Sequence, residues 1–306
     1  MTRPFSDDDL DAAAAQLAAR HARHREAEPL LPADIDFRAE VEAVWRLPGA
    51  SGAVSETGFL IGAPREDPVW GPNVWVELAG HAAEDAETAR DLYGLAAQRW
   101  VDDAKTRHYV HVPSADRALV EAWYRLGFGQ QHAFGIREVP EAVAWPEGVR
   151  EAAEGDVDAM IALAPLLREH QGRSPVFGAG RPLEDEAELR KDILENMASE
   201  ESVDLVAEVD DRIVGVFFVT PVDRSSLHTG LARPAHASFL AWAATLPEQR
   251  GRGAGLRLTE ATLAWSRSRG HDVIVTDWRV TNLLASRFWP ARGFRTTFLR
   301  LYRSIP

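Results

Sequence analysis

Apolar residues are distributed along this chain in two kinds of run. Short runs rich in β-branched residues and bounded by turn formers predict strands, and longer runs with apolar residues three and four apart predict helices. In the second half the pattern predicts a helix at 157–170, an acidic helix at 183–197, and strands at 203–209 and 213–221 joined by an Asp210-Asp211 turn. It continues with a strand at 238–246, a helix at 254–269, a strand at 271–277, a helix at 282–292 and a last strand at 294–302. The first half runs in the same coarse order of helix, strands, helix, strand, helix and strand. The fold class this predicts is α+β, an α/β three-layer arrangement in which a mixed central sheet is flanked by helices.

The shared order reflects an internal repeat. The block Trp123-Tyr-Arg-Leu-Gly127-Phe128 returns as Trp289-Pro-Ala-Arg-Gly293-Phe294, 166 positions later, and the same offset places Arg137 on Arg303. Upstream, Asp9-Leu-Asp-Ala12 returns as Asp156-Val-Asp-Ala159 at an offset of 147, so the second half holds about nineteen extra residues between these blocks, including the acidic helix. A Pro-bearing connector at 139–148 separates the copies, which predicts two tandem domains, 1–145 and 146–306.

Composition narrows the chemistry. The chain has 306 residues, 45% of them hydrophobic, and no cysteine, so disulfides, thiolate catalysis and Cys-based zinc sites are excluded and no metal is expected. Its net charge of −13 argues against nucleic acid and anionic membranes as partners. An acidic run, Asp7-Asp8-Asp9, stands where an export signal needs basic residues, and no apolar stretch approaches the ~20 residues of a membrane span, so a cytoplasmic location is expected.

Against this acidic background one loop is basic. Leu246-Pro-Glu-Gln-Arg250-Gly251-Arg252-Gly253-Ala254-Gly255 lies between an apolar strand and a helix. Alternating glycines let a ligand approach the backbone closely, the helix start directs N–H groups and a positive dipole end at the same point, and Arg250, Arg252 and Arg257 add charge. Such a loop is either an anion cradle or a purely structural turn. A dinucleotide fingerprint is excluded, because the glycines alternate and too little chain follows to complete that fold.

Arg250-x-x-Gly253-x-Gly255, followed by Asn282-x-x-Ala285-x-x-Phe288-Trp289-x-x-x-Gly293-Phe294, resembles the two motif blocks of the GNAT superfamily of acyl-CoA-dependent N-acetyltransferases. The resemblance is strong over residues 150–306 and rests in the first half on the Gly127-Phe128 block and the general layout. It implies two tandem GNAT-like domains, with acetyl-CoA as co-substrate in the second. Backbone groups of Ala243, Ala244 and Thr245 would bond the pantetheine arm, and N–H groups near Thr245 would stabilise the oxyanion. Arg250, Gly251, Arg252, Gly253, Ala254, Gly255 and Leu256 would hold the pyrophosphate, with Asn282 and Phe288 along the cofactor.

Acyl transfer to an amine needs the ammonium deprotonated first. Asp277, at the end of its strand and five residues before Asn282, is the first candidate base, with capping of the following turn as the structural alternative. His228 and His236 are weaker candidates. The family's acid tyrosine is replaced by Trp289, so the leaving thiolate is protonated by water or another hydroxyl such as Tyr302, or departs unaided. Trp278 and Trp289 either wall the acceptor pocket or pack.

Shifting the phosphate loop back by 166 positions lands on Glu84-Asp-Ala-Glu-Thr-Ala89, which has no glycine and three carboxylates, so the first copy is expected to be degenerate and not to bind CoA. Glu184-Asp-Glu-Ala-Glu188 is either an acidic rim selecting a cationic small-molecule or peptide amine, or a solvated helix face. The expected protein is an N-acetyltransferase that works as a monomer or homodimer. A non-catalytic acyl-CoA sensor or scaffold is the alternative.

Overall fold

The structure is a computed structural model that describes residues 1–178 and 185–306. The chain forms two compact units that interleave in sequence. Unit 1 takes residues 1–134, 229–233 and 296–306, and unit 2 takes 135–228 and 234–295.

In chain order, unit 1 contains β1 (Arg3–Pro4), α1 (Leu10–Ala27), α2 (Phe37–Trp45), β2 (Ser51–Ser55), β3 (Gly58–Gly62), β4 (Asn73–Val76), β5 (His81–Ala83), α3 (Ala86–Asp102), β6 (Arg107–Pro113) and α4 (Arg117–Arg125). β7 (Gly129–Glu138) begins in unit 1 and ends in unit 2. Unit 2 continues with β8 (Val149–Glu151), α5 (Val157–Leu163), α6 (Pro165–Gly172), α7 (Glu186–Met197), β9 (Val203–Val209), β10 (Arg212–Pro221), β11 (Ala237–Thr245), α8 (Ala254–Ser268), β12 (Val273–Arg279) and α9 (Ala285–Ala291). The last strand is β13 (Arg295–Ser304). Aspartates start four of the helices: Asp36, Asp85, Asp116 and Asp185 each accept the backbone N–H three residues on, at 2.8–3.0 Å.

The strands form mixed sheets flanked by helices, as the sequence predicts; in unit 1 they divide into an antiparallel sheet, β1-β2-β3-β5, and a mixed one, β4-β6-β13. In unit 2 the strand order is β7-β12-β11-β10-β9-β8. On one face Val157, Met160, Leu163 and Ile193 of α5 and α7 pack on Val206 and Val216. On the other, α8 lies close to Gly215, where an added Cβ would meet Leu258 at 3.1 Å.

The helix predicted over 157–170 is two helices. Pro165 has no N–H to continue the first and takes the opening turn of the second, α6. The acidic helix begins at Glu186, and its predicted start at 183–184 lies outside the described residues. Asp210 and Asp211 both have left-handed φ, +50° and +57°, as a two-residue hairpin turn requires.

The repeated Trp-x-x-x-Gly-Phe block is a helix stop. After α4 and α9, Gly127 and Gly293 turn the chain with φ of +82° and +85°, and the N–H groups of Phe128 and Phe294 return to the carbonyls of Trp123 and Trp289 at 3.1 and 3.2 Å. The paired rings stand 4.9 and 5.5 Å apart, edge to face.

The copies trade their last strands. β13, from the second copy, pairs antiparallel with β6 in unit 1 from Phe298↔Pro113 to Ser304↔Arg107, and the end of β7, from the first copy, neighbours β12 in unit 2. Arg303 therefore donates to Leu126 O at 2.7 Å at the end of α4, while Arg137 donates to Arg292 O at the end of α9. Donors and acceptors in the two bonds are both 166 positions apart.

Candidate active site

The site is built where two parallel strands part. β11 and β12 pair from Ala237↔Val273 to Leu240↔Thr276, and Thr276 Oγ1 donates to Leu240 O at 3.0 Å where the ladder ends. Opposite, Phe218 pairs with Trp242 and Val219 with Leu240, so Ala241 is an extra residue that bends β11 where it leaves β12. Residues 242–245 stay paired with β10, while their other edge has no strand partner among the described residues. Ala243, Ala244 and Thr245 all lie on this edge, a row of backbone groups that an extended ligand can pair with.

β11 leads into the basic loop. Pro247–Gln249 forms one 3-10 turn, and Gly251 and Gly253 follow with φ of +76° and +91°. Gly253 is the N-cap of α8 and brings no side chain to the helix start. The bond from Arg257 N–H to Gly253 O, 3.0 Å, opens the helical ladder, which leaves the N–H groups ahead of it, through Ala254, Gly255 and Leu256, without helical acceptors. A Cβ on Gly255 would stand 3.3 Å from the Phe288 ring, so glycine eases the close approach of α9 there. Arg250 and Arg252 are exposed, Arg257 is half-buried with its Nε unbonded, and none of the three has an ion pair among the described residues.

Asp277 is the residue after the last β11–β12 pair and is half-buried at the mouth of the split. Five residues on, Asn282 is buried, and its Oδ1 accepts the N–H groups of Leu284 and Ala285 at 3.1 and 3.3 Å, shaping the turn into α9. The same oxygen lies 3.0 Å from His170 Nε2, and the neighbouring Gln171 Oε1 accepts Arg279 Nε at 3.1 Å. The end of α6 is thereby tied to the β12–α9 turn by two adjacent side chains. The sequence reading did not single out His170, Gln171 or Arg279, whose partners lie 108 to 112 positions away.

The other candidates fall elsewhere. Tyr302 is in unit 1, on β13, with its ring 4.9 Å from Tyr109. His228 is buried against Phe239 and Ser225 Oγ. His236 is exposed and precedes β11, at the end of the strand away from the split. Trp289 packs on Phe217, Phe288 and Phe294, and Trp278 closes on Gly135, where a Cβ would lie 2.5 Å from its ring, so both tryptophans are core residues. On the acidic helix Asp185 is a cap and Glu186 shares Arg190 with Asp158, the pattern of a solvated face, while Glu184 lies outside the described residues.

The sequence profile of the Acetyltransferase (GNAT) family matches residues 166–294, from α6 to the end of the Gly293-Phe294 block. The fold of the whole chain is that of a GCN5-related N-acetyltransferase from Sphaerobacter thermophilus, at a TM-score of 0.59 and 16% identity over 99% of this chain and 95% of that one. It is also that of a tandem GNAT protein from the clavulanic acid biosynthesis pathway, at 0.52 and 14% over 99% and 98%. Residues 166–294 thus carry the GNAT family's sequence profile, and the whole chain has the fold of tandem GNAT proteins. No curated relative matches it by sequence.

The first copy closes the places that the second leaves open. β4 runs parallel to β6 as far as Val76↔Val110, the counterpart of Leu240↔Thr276, and the chain then leaves for β5, which pairs with β3. Arg20 of α1, 2% exposed, donates to the carbonyls of Leu78 and His81 at 2.6 and 2.5 Å, and His81 Nε2 bonds His111 O on β6 at 2.8 Å. At the head of α3, where α8 has Gly253, Asp85 caps the helix, and the Thr88 N–H above all holds its carboxyl below the usual range. That helix start already carries an anion of its own.

Proposed function

We propose that this GNAT protein transfers an acetyl group from acetyl-CoA directly to a primary amine, and that of the copies 1–145 and 146–306 the second carries the reaction. The single observation that supports this most is the head of α8. A left-handed Gly253 without a side chain and open N–H groups stand there with three arginines that, among the described residues, have no ion pair, beside a strand edge that has no strand partner among those residues.

The residues present fit the co-substrate. The edge of Ala243 to Thr245 takes the pantetheine arm, Arg250 to Leu256 takes the pyrophosphate, and Phe288 and Asn282 flank the cofactor; acetyl-CoA supplies the activated acyl group. Asp277 draws the acceptor ammonium to the mouth of the split and takes its first proton, and N–H groups near Thr245 face the developing oxyanion. With Trp289 packed, the thiolate departs without a protein acid, as its low basicity permits. The acceptor is a small-molecule or peptide amine, and the setting is cytoplasmic, with the chain a monomer or homodimer. Among the described residues no helix is long and apolar enough to cross a membrane, and no cluster of His, Asp or Glu is arranged to hold a metal.

The test is release of free CoA across a panel of amines, run beside a CoA titration. Turnover with at least one amine is expected, together with a rate in Asp277→Asn that is about 10²-fold lower and a pH profile shifted upward, because the amine must then arrive already neutral. CoA binding without turnover for any amine would favour an acyl-CoA sensor.

A further inference from the structure

We propose that His170 is a second proton acceptor of this reaction, taking the proton that the attacking nitrogen sheds as the carbon–sulfur bond breaks; the assignment rests on the acetyl-transfer reading above.

The hydrogen bonds fix its protonation pattern. Asn282 Oδ1 accepts two backbone N–H groups, so the carboxamide is held with its oxygen toward them, and the flipped amide would set NH₂ against two donors. His170 Nε2, 3.0 Å from that oxygen, must therefore be the donor. A neutral imidazole has one N–H, so Nδ1 is left as a lone pair, and it has no protein partner among the described residues. This is the arrangement of a base held by an orienting group.

Position supports the same role. His170 is in the last turn of α6, and its bond to Asn282 fixes it to the turn that begins beyond Asp277. The charged groups on the elements that meet here are Arg168 and Glu169 of α6, Arg173 beyond it, Asp277 and Arg279 of β12, and Arg287 of α9. The part of β11 beyond the split, residues 241–245, brings no titratable side chain.

The proton balance calls for two acceptors. Between ammonium and amide the nitrogen loses two protons, one before it attacks the carbonyl and one as the carbon–nitrogen bond is completed and the carbon–sulfur bond breaks. Asp277 takes the first and, once protonated, cannot take the next. His170 takes the second as an imidazolium held by Asn282 Oδ1, and passes it to water.

His170→Gln tests this, because the glutamine amide can still donate to Asn282 but cannot titrate. The expected result is a fall in kcat of about 10²-fold with CoA affinity unchanged and one ionisation missing from the pH profile of kcat/KM. A wild-type rate and profile, or a lower rate with the profile intact, would overturn the proposal. A readout independent of turnover is ¹⁵N NMR of histidine-labelled full-length chain. Neutral His170 should be the Nε2–H tautomer, and the Nδ1–H tautomer would refute the assignment. A wild-type chain with the expected tautomer that acetylates no amine would instead overturn acetyl transfer, and this step with it.

Discussion

A glycine and an aspartate hold the same place at the heads of α8 and α3, and each decides what its helix can accept. Gly253 adopts φ +91° and leaves the helix start bare, while Asp85 fills that position with a carboxylate. This contrast was readable in the sequence as Arg250-x-x-Gly253-x-Gly255 against Glu84-Asp-Ala-Glu-Thr-Ala89. Arg20 was not readable, because an arginine in an Ala-rich helix shows nothing of the carbonyls of Leu78 and His81 that it reaches some sixty positions on. Asp204 is a further residue hidden in an apolar strand, 7% exposed with Oδ2 unbonded, and burial pushes its carboxyl up to about 7. An unfolded aspartate titrates near ~3.9, so the folded chain holds the extra proton between these values. The stability this gives is complete below about 4 and is lost as pH rises through 7. Urea midpoints measured from pH 5 to 8 should therefore fall less in Asp204→Asn than in the wild type, and an equal fall would contradict the assignment.

At the scale of elements, the Trp-x-x-x-Gly-Phe block acts as a stop signal for α4 and α9, and this explains why it recurs with its spacing intact. It also explains Trp289. The residue is 6% exposed among three phenylalanines, so a hydroxyl at this position would sit in packing and gain no access to a leaving group. Trp289→Tyr should lower the melting temperature and leave turnover no faster, as read by thermal denaturation and CoA release, whereas a faster enzyme would show that the position serves as an acid. Strands and the Asp210-Asp211 hairpin were legible because their signals are local. The break at Pro165 was present in the sequence as well, but the apolar spacing continues across it and masks the missing N–H.

Over the whole molecule, the repeat was legible and the strand exchange was not. Alternation in residues 295–304 marks a strand without naming its partner, and β13 finds β6, almost two hundred positions earlier. The offset of 166 nevertheless held the clue, since Arg137 and Arg303 match in sequence and make matching bonds to Arg292 O and Leu126 O. Duplication has thus left two copies of like order and unlike chemistry. One has a bare helix start beside a split strand, and the other has its split bonded by Arg20 and His81 and its helix start capped by Asp85. The most direct measurement of this difference is calorimetric titration of the full chain with CoA. One site per chain is predicted, abolished in Gly253→Val and kept in Asp85→Ala; two sites, none, or a site that survives Gly253→Val would contradict the account.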